Sequence, residues 1–566
     1  MSAEPSAREI TVLNVSESEQ RPQPLAFSGA SIASVPKEIL LMIFFILRDA
    51  LPYWSHPEDG DITWMVITHV CSLWRNLAIS SSLLWTSIPS HLGAEWMKLV
   101  LKRSRKAVIY ININDEDLLP PAEEELLKHI CRARSIEVEV AYDALQRFLD
   151  RMVEPAPILE QLAIGSGAFF FPENLLGGDA PRLRVLDLTD CSLPGTLPIF
   201  KGLTELKMDR TFPPLTVPAT NGPLFLSELL DFLDNTPALA KLELDNAFGV
   251  QRADIERLQV RPKVPLSNLQ YLEIRGKGNE CQFLMKGLQI AAGCEICLNA
   301  TAVGPRSFDV LFRATLELIA HCFFRPKPFT HVDFVLDEDG ELRVGFDPEF
   351  FHPPNIWWHS HCRITLTCPP DYRPIVYRNH LYRLFRVLPG IQSIALERRG
   401  SDLLTATDFL NIMSWRNLDT IHTVRLTFKP VSSCAAFFKF LEIVDARLAA
   451  GEAIEGPMLP GLKTLIIGDN EPCDWGCPCN SKEERIRNPG IDGELAELVR
   501  SRCELGVPLE RLVIKGYWKM EQEFMDSLRT KVGNDVRIEE TFLEHVKCHK
   551  MCRHLSGTNE VTCMGN

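Results

Sequence analysis

Several features that would settle a function outright are missing from this chain of 566 residues. No run of about 18 apolar residues occurs, which excludes a membrane-spanning helix as an expectation. Residues 1–19 are polar and carry no apolar core segment, so a secretory leader is not expected either. Positive charge is in deficit: 60 Lys and Arg stand against 74 Asp and Glu, a net charge of -14. A general nucleic-acid surface needs a basic face that displaces counterions, and this balance argues against one. The run Lys102-Arg103-Ser104-Arg105-Lys106 is short and reads as a solvated helix end. Glycine-rich phosphate loops, nucleophile elbows and zinc-protease helices are absent, which leaves an enzymatic reading without a motif. A disulfide framework is also lacking, because 17 cysteines, an odd number, are scattered along a long chain. Reduced thiols in a reducing compartment, cytoplasmic or nuclear, fit that usage.

What is present begins at residue 31. Pro36 opens a block in which residues 39–47 contain no polar side chain. A helix apolar on every side must be covered on two sides, and nine residues span only about 14 Å. It is therefore expected to lie between its own domain and a partner. Downstream, Ile67, Val70, Cys71, Trp74, Leu77 and Ala78 recur at three- and four-residue steps as one apolar stripe, with Arg75 and Asn76 off it. A third short element carries Leu84, Trp85 and Ile88. Three helices of this size make a core too small to be stable without help, which burial on a partner supplies.

The joint order of Pro36, Glu38, Ile39 and Leu40, then Val70, Cys71, Trp74 and Arg75, then Leu84 and Trp85, resembles the F-box. That is the short trihelical module of ubiquitin-ligase substrate adaptors. Two departures stand out: Val35 replaces the usual leucine, and residues 50–61, with Pro52, Pro57 and Gly60, make a long connection between the first two helices. The helix-like segment 96–104 and strand-like segment 108–111 also look like those that follow the F-box in many fungal members. The resemblance implies docking on a Skp1-type linker, and through it on a cullin-RING ligase. It places linker contacts on Pro36, Ile39, Leu40, Ile43, Phe44, Val70, Cys71, Trp74 and Trp85.

Beyond residue 113 the dominant signal is a recurring apolar-x-x-apolar-x-apolar row, which puts three side chains on the inner face of a short strand. Clear rows are Leu159/Leu162/Ile164, Leu183/Leu186/Leu188, Leu203/Leu206/Met208, Leu239/Leu242/Leu244 and Leu269/Leu272/Ile274. More follow at Ile391/Ile394/Leu396, Ile421/Val424/Leu426, Leu462/Leu465/Ile467 and Leu509/Leu512/Ile514. Weaker candidates are Ala133/Ile136/Val138, Gly293/Ile296/Leu298, Phe329/Val332/Phe334 and His361/Ile364/Leu366. Their spacing is irregular, and the longer gaps leave room for helices, legible at 226–233 and 494–500. Repeated parallel strand and helix units bury their apolar rows only by stacking, which predicts a leucine-rich-repeat-like solenoid with a broad binding face. The asparagine usual after such strands is mostly missing, as Leu188-Thr189-Asp190-Cys191 shows. The rival is a non-repetitive α/β domain with buried parallel strands.

Other candidates for chemistry are weaker. Cys473, Cys477 and Cys479 form one cysteine-dense spot, and Cys548, His549, Cys552 and His554 a second. Both roughly allow zinc-ligand spacing, but no matching pair of standard spacing appears, so free thiols are expected there. Cys294 and Cys297 have the spacing of a redox motif yet fall in a strand row, where thiols act as small apolar groups. Asp337-Glu338-Asp339-Gly340, between two alternating segments, reads as a hairpin turn rather than a calcium loop.

The sequence thus predicts an α/β chain in four parts: a disordered leader (1–28), a trihelical F-box-like module (29–92), an irregular leucine-rich-repeat-like solenoid (93–545) and a flexible Cys/His-containing tail (546–566). The implied function is a non-catalytic adaptor, without cofactor or metal, that binds the linker and an unnamed target protein. The alternative is a scaffold that binds the linker without cullin, or not at all.

Overall fold

The computed structural model describes residues 35–50, 63–89, 93–113, 120–140, 142–165, 171–190, 193, 197–210, 224–291, 293–302, 304–323, 329–336, 341–347, 362–367, 390–399, 420–429, 437, 459–468, 491–516, 522–532 and 536–542. The chain divides into two compact units, Met1–Thr86 with Lys102–Arg105, and Ser87–Leu101 with Lys106–Asn566.

The first unit begins with helix α1 (Lys37–Ala50). The Pro36 carbonyl accepts the first bonds, from the amides of Ile39 and Leu40, and Arg48 in the last turn complements the helix dipole. Its guanidinium donates to the carbonyl of Leu83 at 2.7 Å. A 3-10 turn (Thr63–Val66) leads into α2 (Ile67–Val70). The stripe expected to continue through Ile67, Val70, Cys71 and Trp74 is broken here, because Cys71 is fully extended (φ -157°, ψ 170°) before α3 (Ser72–Ser80) starts. Periodicity does not register a single extended residue between two helical pieces. The core is aromatic: the Phe44 and Trp74 rings lie 5.1 Å apart, as do Trp64 and Trp85 in an edge-on pair. The Trp85 indole donates to the Ala78 carbonyl at 2.9 Å, and the Arg103 guanidinium sits 4.3 Å above its ring.

The second unit is α/β, built on one open sheet of 17 strands. In chain order the described strands, two of them outside this sheet, are β1 (Ser87–Pro89), β2 (Ile109–Ile113), β3 (Ala133–Glu139), β4 (Gln161–Gly165), β5 (Val185–Thr189) and β6 (Glu205–Asp209). Next come β7 (Lys241–Asp245), β8 (Val264–Leu266), β9 (Tyr271–Lys277), β10 (Leu288–Ile290), β11 (Glu295–Thr301) and β12 (His331–Leu336). The last are β13 (Glu341–Asp347), β14 (Cys362–Thr367), β15 (Ser393–Arg399), β16 (Thr423–Lys429), β17 (Thr464–Gly468), β18 (Arg511–Gly516) and β19 (Arg537–Phe542). Strands β8 and β10 form a separate two-stranded ribbon.

From β1 through β7 each strand pairs in parallel with the next, and β9 and β11 continue the series. The order then inverts: β14 lies beside β11, β13 runs antiparallel between β14 and β12, and β12 pairs in parallel with β15. Parallel pairing resumes through β19. The hairpin read from the 337–340 turn is thus present as the β12/β13 pair, closed by Leu336 opposite Leu342, while the turn itself lies outside the described residues.

The apolar rows explain this sheet. The middle residues of five clear rows and of two weaker ones occupy one register line, so that Ile136, Leu162, Leu186, Leu206, Leu242, Leu272 and Ile296 are successive partners, all buried. Before each of five strands a tight turn recurs: the amides of Leu159, Leu183, Leu203, Leu239 and Leu269 each donate to the carbonyl three residues back. One weaker row is corrected. Ile364 was expected in the middle position, but the partner of Ile296 is Cys362. Cys362, Ile364 and Leu366 are all buried on one face, and strict alternation does not say which of three equivalent residues begins a row.

Helices occupy the longer gaps: α4 (Ala94–Ser104), α5 (Pro120–Leu127), α6 (Tyr142–Arg151), α7 (Leu226–Asp234), α8 (Arg252–Leu258), α9 (Gly278–Gly287), α10 (Pro305–Phe323), α11 (Ile491–Glu504) and α12 (Gln522–Val532). The α4, α7 and α11 segments are those legible in the sequence. No helix among the described residues is long and apolar enough to cross a membrane.

Candidate docking surfaces

In the first unit, the described residues cover α1 on one side only. Leu40 and Phe44 are turned into the core, at 1% and 0% exposure. Ile39, Met42, Ile43, Ile46 and Leu47 remain in solvent, Met42 at 58% and Ile46 at 63%. Their spacing of three and four residues puts all five on one helix face. The five are contiguous, unlike the single exposed apolar residues that are ordinary on a protein surface. The same unit exposes Val66, Val70 and Leu83.

The nine linker-contact positions implied by resemblance therefore separate. Pro36, Ile39, Ile43 and Val70 are exposed, and Cys71 and Trp74 are half-buried. Leu40, Phe44 and Trp85 are buried in the core of the unit and present almost no surface to solvent. The Trp74 Nε1 is shielded from solvent and has no acceptor among the described residues. Met42, Ile46 and Leu47 were not singled out, although they lie in the apolar run. A helix apolar all round gives no pattern to separate its covered from its open face.

In the second unit, the strand positions between the apolar rows form a face rich in carboxylates: Glu137 and Glu139 on β3, Asp187 on β5, Glu205 and Asp209 on β6, and Glu243 and Asp245 on β7. Lys207 bonds Asp187 at 3.2 Å and Lys241 pairs with Glu243 at 2.8 Å. Burial, followed by the charges of Asp187 and Glu139, pushes the Glu137 carboxyl above its usual range. Burial and then Asp245 do the same at Asp209.

Further along, a buried polar chain crosses from β12 to β15. The Ser393 hydroxyl lies 2.6 Å from His331 Nδ1, and His331 Nε2 lies 3.0 Å from Asp333 Oδ1. The His331 ring thus bridges the hydroxyl and the carboxyl, with the roles of its two nitrogens set by its tautomer. Register explains the grouping, since His331 is the direct partner of Ser393 and Asp333 follows two residues on, on the same face. No sequence motif announced it, because residues 62 apart become neighbours only through the inverted strand order. All three are buried, and the chain ties two strands together.

Cys297 faces outward on β11 with its thiol pushed up by burial, which disfavours the reactive thiolate, and Cys294 is buried. The clusters at Cys473/Cys477/Cys479 and Cys548/His549/Cys552/His554 lie outside the described residues. Among the described residues no group of three or more His, Cys, Asp and Glu is placed to hold a metal ion. No protein-family model matches the chain, and no curated protein matches it.

Proposed function

We propose that the chain is a substrate-recognition adaptor of a Skp1-cullin-F-box type ubiquitin ligase. The first unit docks on the linker, and the second holds a target protein as a leucine-rich-repeat-like solenoid. The observation that carries this reading is the half-covered α1, with core residues on one side and five exposed aliphatic residues on the other. It is supported by the ordered Pro36, Trp74-Arg75 and Leu84-Trp85 signature and by the register line of repeated apolar residues in the sheet. The adaptor makes and breaks no bonds itself. It raises the effective concentration of a target lysine near the charged conjugating enzyme, in the cytoplasm, the nucleus or both, without cofactor, nucleic acid or membrane.

Fully burying an aliphatic side chain is worth about 1.5–3 kcal/mol. Replacing Ile43 and Ile46 together by Asp is therefore expected to lower linker affinity at least roughly 100-fold, because the exposed stripe loses two contacts and gains two charges to desolvate. Co-purification with a co-expressed Skp1-type linker measures this, with circular dichroism confirming that the variant stays folded. Undiminished co-purification refutes the docking assignment. The long 50–61 connection favours a second reading, a scaffold that binds the linker without recruiting cullin. Immunoblotting the same pull-down for cullin decides between them, since linker without cullin supports only the scaffold.

A further inference from the structure

We propose that the cleft between α7 and α8 binds one aliphatic side chain followed by a carboxylate, as an acidic peptide segment of a target protein presents them. This rests on reading the second unit as the target-holding part, and it adds the chemistry of what is held.

The cleft measures about 220 Å³. Drug-sized ligands and cofactors occupy about 300–1,000 Å³, so this one is sized for a single side chain. Leu226 and Leu230 of α7 lie beneath it, almost wholly covered, so the aliphatic surface it offers is chiefly that of half-buried Leu258 on α8. At its edge Val260 is 85% exposed, an aliphatic residue left in water where a partner's side chain would cover it.

The walls are held in place. Arg261 donates to the Leu230 carbonyl at 3.1 Å and bonds Asp231. Buried Asp254 accepts from the amide of Gln251 at 2.8 Å and that of Ser227 at 3.3 Å, joining the starts of both helices. A cleft fixed this way needs little ordering when a ligand enters.

The charges at the mouth select the ligand. The Arg261 guanidinium pairs with Asp231 and, at 3.7 Å, with Asp234, which does not line the cleft, and the Asp254 carboxylate is held by two backbone N–H groups. Arg257 is exposed and makes no side-chain hydrogen bond or ion pair with a described residue, so its charge is the unspent one. An aliphatic floor beside a free guanidinium is complementary to an aliphatic group beside a carboxylate, since Arg pairs with carboxylates through a two-pronged donor.

The test is saturation-transfer NMR on the full chain, with N-acetyl-L-leucine as the probe and N-acetyl-L-leucinamide and L-leucinamide as its neutral and cationic counterparts. Transfer to the isobutyl methyls of N-acetyl-L-leucine is expected, with a dissociation constant on the order of millimolar for so small a ligand. R257E is expected to weaken it roughly fivefold, the upper range for a solvated ion pair, and V260D to weaken it as well. Both positions are exposed, so both variants are expected to keep the wild-type melting curve. No transfer to N-acetyl-L-leucine, an equal response from either counterpart, or transfer that survives both substitutions overturns the proposal. Because no linker is present, its failure is distinct from failure of the adaptor reading, which linker co-purification tests alone.

Discussion

At the scale of single residues, Trp85 shows how much of this molecule is decided by one side chain. Its ring packs against Trp64, its N–H satisfies the Ala78 carbonyl and its face carries Arg103. Trp85→Phe keeps an aromatic ring and removes the donor, leaving a carbonyl unpaired in the core. The expected loss is about 1–3 kcal/mol, read as a lowered urea midpoint by tryptophan fluorescence of the remaining indoles. Glu137 shows the reverse case. Its carboxyl is raised in the folded state, so between the ordinary carboxylate range and the raised value the folded chain binds more protons than the unfolded one. Stability then falls as pH rises through that window and is flat above it. Glu137→Gln removes this penalty and is expected to stabilise at neutral pH by up to about 0.5 kcal/mol, small because the group is half in solvent. Below about pH 3, where the glutamate is protonated in both states, the difference vanishes. Paired urea titrations at the two pH values check the sign, and destabilisation at neutral pH contradicts it. Neither residue's partners were legible in the sequence: the Leu84-Trp85 pair announced a core residue, while its bond to Ala78 and its cover by Arg103 depend on how the turn after α3 closes.

At the scale of elements, α1 and the α5/α6 pair show two ways of spending side chains. The nine apolar residues of the run marked α1 as needing two covers, and the described residues of its own unit supply one. The sequence could say that a second cover was required but not which face it meets, because that choice belongs to packing against Trp74 and the turn at Leu83. In the second unit, Glu123 of α5 is fully buried and accepts from Arg147 at 2.8 Å and Arg151 at 2.7 Å, two arginines one turn apart on α6. Nothing in the run Pro120–Leu127 distinguishes Glu123 from its neighbours Glu124 and Glu125; the clamp exists because α6 returns over it. Glu123→Ala leaves both arginines free to rehydrate, since each is partly exposed, so the cost is the lost bonds and packing, about 1–3 kcal/mol. Arg147→Ala is expected to cost less, because Arg151 still neutralises the carboxylate. Thermal melts of the two variants decide it, and equal losses would show that the two arginines act as one unit.

At the scale of the whole sheet, the rows in the sequence predicted parallel strands in common register, and the register line from Ile136 to Ile296 has that form. The exception is instructive. Between β11 and β15 the chain doubles back as a hairpin, and the row of Cys362 slips by two residues relative to the expectation, since a period-two pattern is blind to such a slip. The same inversion brings His331, Asp333 and Ser393 together, which no local reading could have foreseen. Strands joined only to their neighbours should also share stability only with their neighbours. Leu242 on β7 is fully buried and touches the register line at Leu206 and Leu272. Leu242→Ala is expected to cost about 2–5 kcal/mol locally. Hydrogen exchange measured by mass spectrometry should then show faster exchange in β6, β7 and β9 and unchanged protection in β17 and β18. An equal rise in both regions would mean that the sheet opens as one cooperative block, and that stacking between nearest neighbours is the wrong account of what holds it together.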